Sequence, residues 1–226
     1  MTSARVLHVS SGRAWRGGEA QILHLMRGLA GRGLPQRLLA PRGGALARRA
    51  REAGLPVEPI PFRNEADGRA LARVVGAIRR LGPAVAHLHT SQAHGIGAVA
   101  ARLAGRRRPA VVVTRRVEYS IFRHSFLGLD RLKYDPGADL VLCVSERIRD
   151  VLLADGLAPE RLVLVPDGID VGAFAPLPGR RAAVRRALGI ADGAVVVGSV
   201  GVLERAKGQD VLVEAFARVR TRHPDA

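Results

Sequence analysis

Short apolar runs alternate with longer amphipathic stretches between residues 5 and 166 of the chain. Some of these runs, such as AVVVT and LVLCVS, contain no regular alternation with charged residues, which is typical of strands buried on both faces of a parallel sheet. The pattern predicts strands at 5–10, 36–40, 57–60, 84–89, 110–114, 140–145 and 162–166. It predicts helices between them at 19–31, 44–53, 67–81, 92–104 and 146–155.

Repeated strand–helix–strand units indicate the fold class. Such units place their strands side by side in a parallel sheet, and the helices cover both faces of that sheet. Glycine is the usual residue at a helix end, and Gly82 and Gly105 follow two of the predicted helices. We therefore expect residues 1–166 to form an α/β domain with a doubly wound, Rossmann-like parallel sheet.

The pattern changes after Pro166. Residues 167–179 are rich in glycine and proline and predict a linker. A basic helix at 180–188, an apolar strand at 194–203 and a helix at 209–221 follow the linker. A single strand–helix unit cannot bury both faces of its strand, so residues 180–226 are expected to be the incomplete start of a second Rossmann-like domain.

Basic residues outnumber acidic ones, giving a formal net charge of +16. Only Lys133 and Lys207 are lysines, and the large arginine excess favours GC-rich coding over selection for a nucleic-acid partner. If the charge has a function, phosphorylated ligands or an anionic membrane surface would also account for it. Aromatic residues are not interleaved with the basic ones as in single-strand binders, so no nucleic-acid partner is expected.

The chain has one cysteine, Cys143, which lies inside an apolar run and should be buried. No disulfide framework can form from it, which fits a reducing compartment. The first residues lack the pattern of a signal peptide, and no apolar run has the length of a bilayer span. We expect a cytoplasmic protein, with peripheral contact to the inner face of the membrane as a further option.

Ligands of open parallel sheets bind at the carboxyl ends of the strands. The loop from Ser11 to Gly18 follows the first predicted strand, and Gly17 and Gly18 come directly before the first predicted helix. Glycine lets a ligand approach the backbone, and free amides at a helix start attract anions. The glycines do not have the spacing of a dinucleotide fingerprint. The segment therefore fits either a ligand-binding loop or a flexible loop with Glu19 in the first turn of a helix.

Two histidines lie two residues apart on the fourth predicted strand and therefore point to the same face. His87 should be buried and hydrogen-bonded, whereas His89, at the ligand end of the strand, fits a structural or a site role equally. Zinc needs three or four converging ligands, and neither a cysteine nor an acidic residue lies close in sequence. The sequence therefore predicts no metal site.

Lys207 precedes the last predicted helix and could reach a phosphate held at that helix start. A lone Lys-Gly pair is unspecific by itself. The sequence has no nucleophile elbow and no phosphate-binding loop that ends in Gly-Lys-Ser/Thr. It also has no Asp-x-Asp pair to hold a divalent cation.

Taken in order, several segments together resemble the family-4 type of GT-B glycosyltransferases over nearly the whole chain. They are HVSSGRAWRGGEAQILHLMRGLAGRG, VAHLHTSQAHGIGAVAARLAG, VTRRVEYS, LKYDPGADLVLCVSERIRDVLLADGLAPERLVLVPDGIDVGAF and VGSVGVLERAKGQDVLVEAFARVRTRHPDA. The resemblance implies two Rossmann-like domains and transfer of a sugar from a nucleotide-diphosphate sugar to an acceptor. Transfer in this family typically retains the anomeric configuration and uses neither a metal nor a cofactor. The implied acceptor is a carbohydrate or glycolipid of the cell envelope.

The resemblance also implies roles for individual residues. The amides of Gly17 and Gly18 would approach the donor sugar and its diphosphate, and His89 would lie near the transferred sugar. Lys207 would neutralise the diphosphate, which gathers negative charge as it leaves. Val202 stands where many relatives have a second diphosphate-binding arginine, so Arg205 is the expected substitute.

Two other features depart from the family pattern. Relatives commonly have Pro-Asn-Gly in the linker, where this chain has Pro166-Asp167-Gly168. The family's donor-site glutamates would lie beyond residue 226, so the chain alone is expected to be inactive. Two alternatives remain: a sugar-nucleotide epimerase on the same fold, or a non-catalytic module that docks an acceptor or a membrane.

Overall fold

A computed structural model describes residues 6–64, 67–122 and 131–223 of the chain. The chain divides into two compact units, Met1–Ile169 and Asp170–Ala226. The division falls inside the predicted linker, residues 167–179.

Seven parallel strands form one sheet in the first unit, in the order β3-β2-β1-β4-β5-β6-β7. The strands are β1 Val6–Val9, β2 Gln36–Pro41, β3 Val57–Ile60, β4 Val85–Leu88, β5 Ala110–Arg115, β6 Leu140–Cys143 and β7 Leu162–Leu164. The predicted doubly wound sheet is confirmed, because the strand order reverses between β1 and β4. Arg5, the first residue of the first predicted strand, lies outside the described residues.

Helices connect the strands of the first unit, and most match the predicted ones to within a few residues. They are α1 Gly17–Gly31, α2 Ala45–Glu52, α3 Gly68–Leu81, α4 Ser91–Leu103, α5 Arg131–Tyr134 and α6 Glu146–Ala154. Asp67, Thr90 and Ser145 cap α3, α4 and α6, because their side-chain oxygens accept hydrogen bonds from backbone N–H groups of the first turn. The short helix α5 was not predicted, since four residues are too few to show a helical period. Among the described residues, no helix has both the length and the apolar character to cross a bilayer.

The core lies on the two faces of the sheet. On one face α3, α4 and α6 pack over Leu7, Leu88 and Val113. On the other face α1 and α2 pack over Leu38 and Ala40. The predicted burial of Cys143 is confirmed, since its side chain is fully enclosed in the first of these clusters.

A cavity of about 470 Å³ opens on the α1 side of the sheet, over strands β4, β5 and β6. Its lining is mostly apolar, with Leu25 of α1 facing Val85, Val112 and Leu142 of the strands. The polar side chains in its lining are Gln21, His87, Thr114, Arg116 and Asp167. Most of these polar residues lie towards the carboxyl ends of the strands, where a ligand site is expected.

The second unit contains the helices α7, Arg180–Ala187, and α8, Gln209–Arg222. Both match predicted helices. The predicted strand at 194–203 is wrong, because the described residues supply no neighbouring strand with which this segment pairs. Its apolar side chains are instead exposed, Val195 at 65% and Leu203 at 90%.

Two glycines on neighbouring helices give a matched test of the packing of α4 on the sheet. A Cβ atom at Gly97 would lie 2.8 Å from Cδ1 and 3.2 Å from Cγ of the buried Leu88, whereas a Cβ at Gly76 of α3 would meet no atom within 4 Å. Gly97→Ala should therefore lower the free energy of unfolding by about 1–3 kcal/mol. Gly76→Ala should raise it by about 0.5–1 kcal/mol. Urea unfolding followed by circular dichroism measures both changes, and equal effects would contradict the packing described.

Candidate functional site

The candidate site lies where β1 and β4 run side by side. Hydrogen bonds between the two loops that leave these strands hold the loops together. The N–H of Ser11 donates to Oγ1 of Thr90 at 3.1 Å, and the hydroxyls of the two residues lie 2.7 Å apart. Thr90 also accepts a hydrogen bond from the N–H of Ala93 at 3.3 Å and so caps α4. Because of these bonds, the segment before α1 lies next to the turn that carries His89.

Helix α1 begins at Gly17, so the prediction that Gly17 and Gly18 both precede the helix is wrong. Both glycines lie in its first turn, where backbone N–H groups have no acceptor within the helix. Glu19 fixes this turn, since its Oε2 accepts the N–H of Arg16 at 3.1 Å and its side chain is buried. The backbone of Gly12 lies against Glu19, and a Cβ there would lie 3.0 Å from Cδ of Glu19 and closer still to its Oε1.

Three buried histidines meet beside this turn: His8 of β1, His87 of β4 and His89, which directly follows β4. His8 and His87 are opposite each other in the parallel register, and all three are at most 6% exposed. Nδ1 of His8 and Nε2 of His89 are hydrogen-bonded at 3.1 Å. The prediction for His87 is confirmed, because it is buried and its Nε2 lies 2.7 Å from Oγ1 of Thr114.

Burial keeps the three rings neutral at physiological pH. It lowers the pKa of His8 to about 4, although the nearby Gln36 side chain acts in the opposite direction. Burial, followed by the charges of His8 and Arg116, lowers the pKa of His87 to about 3. The pKa of His89 falls well below its usual value, mainly through burial and further through the neighbouring His87, His8 and Arg116. Within the described residues, Nε2 of His8 and Nδ1 of His89 have no hydrogen-bond partner.

Arg116 is a site residue that sequence reasoning missed. It follows β5, and its Cδ would lie 3.7 Å from a Cβ atom at Gly18, so its side chain approaches the start of α1. Its Nε forms an ion pair with Asp167 at 3.5 Å, while its buried Nη1 has no hydrogen-bond partner among the described residues. A guanidinium beside the free amides of a helix start is suited to an anion. Its position two residues after the predicted strand 110–114 was the available signal.

Arg205 and Lys207 lie in the second unit, in a 3-10 turn directly before α8. Both side chains are exposed. Gly208 ends this turn with a φ of 66°, a conformation that favours glycine, and α8 begins at the next residue. The cations therefore precede a helix start, as the sequence predicted for Lys207. Val202 offers its carbonyl to the side chain of Gln209 at 3.1 Å.

A family model described as Glycosyltransferase Family 4 matches residues 15–173, which is more than half of the chain. The chain therefore belongs to Glycosyltransferase Family 4. The match includes the first turn of α1, the two histidines of the β4 segment and Arg116. It ends just after the first structural unit.

Two curated relatives have names that describe transferases acting on inositol-containing molecules. The D-inositol 3-phosphate glycosyltransferase of Geodermatophilus obscurus is 39% identical over 85 residues, which are 38% of this chain and 18% of the relative. The GDP-mannose-dependent alpha-(1-6)-phosphatidylinositol monomannoside mannosyltransferase of Mycolicibacterium smegmatis is 35% identical over 131 residues, 58% of this chain and 33% of the relative. The alignments thus cover a minor part of each relative.

The fold also matches a solved structure over nearly its whole length. A crystal structure of Anabaena Alr3699/HepE in complex with UDP and glucose has a TM-score of 0.79 and 20% identity to this chain. The match covers 95% of this chain and 58% of the Anabaena chain, so this chain spans little more than half of that protein. At this identity the likeness concerns the fold alone.

Thr90 offers a test of the bonds that hold the two site loops together. Thr90→Val removes the oxygen that accepts from Ser11 and Ala93 and should lower the free energy of unfolding by about 1–2 kcal/mol. It should also speed hydrogen exchange of the amide of Ser11. Thr90→Ser keeps the oxygen and is the matched control. Urea unfolding and amide exchange measured by NMR give the two readouts, and equal exchange rates in both variants would contradict this account.

Proposed function

We propose that this chain forms the acceptor-side domain and the start of the donor-side domain of a retaining, metal-independent glycosyltransferase. The observation that carries the proposal is the Glycosyltransferase Family 4 match at 15–173, which spans the residues clustered around the start of α1. The donor would be a nucleotide-diphosphate sugar. No cofactor is required in this proposal.

Backbone N–H groups and cationic side chains would bind the diphosphate of the sugar nucleotide, without a metal. The free N–H groups at Gly17 and Gly18 and the guanidinium of Arg116 would approach the diphosphate and the sugar attached to it. Lys207 keeps its expected role of neutralising the leaving diphosphate, and Arg205 is proposed as the second cation. The exposure of both side chains leaves them able to contact a ligand.

His89 would contact the transferred sugar. Its ring is held on one side by the hydrogen bond to His8, and its Nδ1 has no protein partner among the described residues. A neutral imidazole can hydrogen-bond a sugar hydroxyl without adding charge to the site. His8 would then position His89 by fixing one of its ring nitrogens.

The proposed acceptor is a carbohydrate or glycolipid of the cell envelope. The two relatives named above act on inositol phosphate and phosphatidylinositol mannoside, which suggests an acceptor that carries phosphate. A second cavity, of about 330 Å³, supports this choice, because Arg13, Arg42 and Arg73 line it and none of the described lining residues is a carboxylate. Arg13 and Arg42 lie in the loops that follow β1 and β2. Action in the cytoplasm, with peripheral contact to an anionic membrane, remains a prediction.

The activity test uses the chain together with any coding sequence that continues past residue 226. Transfer from UDP-sugars and GDP-sugars to inositol phosphate and phosphatidylinositol acceptors is followed by mass spectrometry. His89→Ala should lower kcat/KM by about a hundredfold or more, as expected when a side chain that hydrogen-bonds the reacting group is lost. His24→Ala, which changes an exposed histidine of α1, should leave kcat/KM unchanged.

Three other results of this assay would contradict parts of the proposal. Full transfer activity in His89→Ala would remove the role assigned to His89. An altered sugar nucleotide without acceptor product would replace the proposal by an epimerase. Salt-sensitive binding to anionic vesicles, with no turnover of any nucleotide sugar, would replace it by a docking module. The 226-residue chain assayed alone should not turn over donor.

A further inference from the structure

The three buried histidines have the arrangement of a metal-binding site. His87 and His89 are two residues apart on one strand, and His8 lies opposite His87 on the neighbouring strand. One ring nitrogen of each lies within 4.8 Å of one ring nitrogen of each of the others. Sequence analysis missed this cluster, because only the pairing of β1 with β4 brings His8 to the other two.

One pair of nitrogens is already at nearly the right spacing. Nδ1 of His8 and Nε2 of His89 are 3.1 Å apart. Two nitrogens bound to one tetrahedral zinc ion at its usual bond length lie about 3.3 Å apart. An ion could therefore take the place of the shared proton with little movement of either ring, provided that the donor ring moves this proton to its other nitrogen and remains a neutral ligand. A ring nitrogen of His87 would complete a three-histidine set.

A hydrogen bond from the neighbouring strand fixes the ring of His87. Ligand histidines commonly use their second nitrogen for a hydrogen bond that fixes the ring orientation. Nε2 of His87 has such a bond, to Oγ1 of Thr114 at 2.7 Å. The side chain of Gln36 is a neighbour of His8, and both Nε2 of His8 and Oε1 of Gln36 are buried and lack a hydrogen-bond partner in the described part of the chain. The nitrogens of His8 and His89 that face each other remain available for an ion.

We propose that His8, His87 and His89 bind a transition-metal ion such as Zn²⁺ or Co²⁺ through three nitrogens, with a fourth position left for water. Imidazole ligands without a carboxylate select such ions over Mg²⁺ and Ca²⁺. Arg116 is a cationic group beside this site, and its ion pair with Asp167 at 3.5 Å balances its charge. The metal site shares His89 with the proposed sugar site, whereas the proposed transfer chemistry itself uses no metal.

The ion would act as an inhibitor of the proposed reaction, a consequence that rests on the proposed function. A metal ion on Nε2 of His89 would break the bond to His8 and bring a second positive charge to the transferred sugar's site. Binding of the ion itself does not depend on any transferase activity. Metal binding and transfer activity are therefore tested separately, and either can fail alone.

The binding test uses the chain without a polyhistidine tag, treated with a chelator and then dialysed. Zn²⁺ is titrated by calorimetry, and Co²⁺ is titrated by visible absorption. One equivalent should bind, Co²⁺ should give the intense visible bands of a four-coordinate site, and Zn²⁺ should remove them. His8→Gln and His89→Gln should each weaken Zn²⁺ binding by about a hundredfold or more, since losing a ligand costs more than losing an outer partner.

Two further variants separate this site from other histidines and from general charge effects. His24→Gln alters an exposed histidine of α1 and should leave the affinity for Zn²⁺ unchanged. Arg116→Met removes the nearby positive charge and leaves Asp167, so it should tighten Zn²⁺ binding. Absence of Zn²⁺ binding to the unmodified chain would overturn the proposal, and so would an affinity in His8→Gln and His89→Gln equal to that of the unmodified chain.

NMR of the unmodified chain keeps the test independent of how well the variants fold. With histidine labelled by ¹⁵N, addition of Zn²⁺ should shift ring-nitrogen resonances of His8, His87 and His89 and leave those of His24 in place. Shifts confined to His24 or to other histidines would overturn the proposal.

Discussion

The parallel pairing of β1 with β4 is the contact on which the site depends. The strand order reverses at this pair, so the chain leaves β1 and β4 towards opposite faces of the sheet, and their carboxyl ends remain accessible. The same pairing sets His8 opposite His87 and brings the N–H of His89 to the carbonyl of Val9 at 3.0 Å. A register shift of one residue would turn these side chains to the other face, away from α1.

Burial determines what the histidines can do chemically. A charged imidazole in this part of the sheet would lose its hydration, so the three rings remain neutral and interact by hydrogen bonds. Among the described residues, the guanidinium of Arg116 lies beside these rings. The site therefore combines neutral nitrogen ligands with the guanidinium of Arg116, which forms an ion pair with Asp167.

Local patterns predicted most of the first unit, because its strands are apolar on both sides and its helices have regular caps and glycine ends. Residues two apart on one strand necessarily share a face, so the relation between His87 and His89 could be read from the sequence. Their relation to His8 could not, since it depends on a pairing between segments nearly eighty residues apart. The same reason explains the wrong strand at 194–203: an apolar extended run becomes a strand only when a neighbour pairs with it.

The ion pair between Arg116 and Asp167 affects the binding of both ligands proposed for this site, an anion and a metal cation. An anion that binds Arg116 competes with Asp167 for the guanidinium. The carboxylate of Asp167 would then lose its ion pair. A metal cation on the histidines would instead be repelled by Arg116 and attracted by Asp167. Since Asp167 is 40% exposed, water can solvate it when an anion takes its place, and its release is less costly than the release of a buried carboxylate. The geometry of this pair therefore favours an anion at Arg116 and keeps a cation, when one binds, on the histidine side.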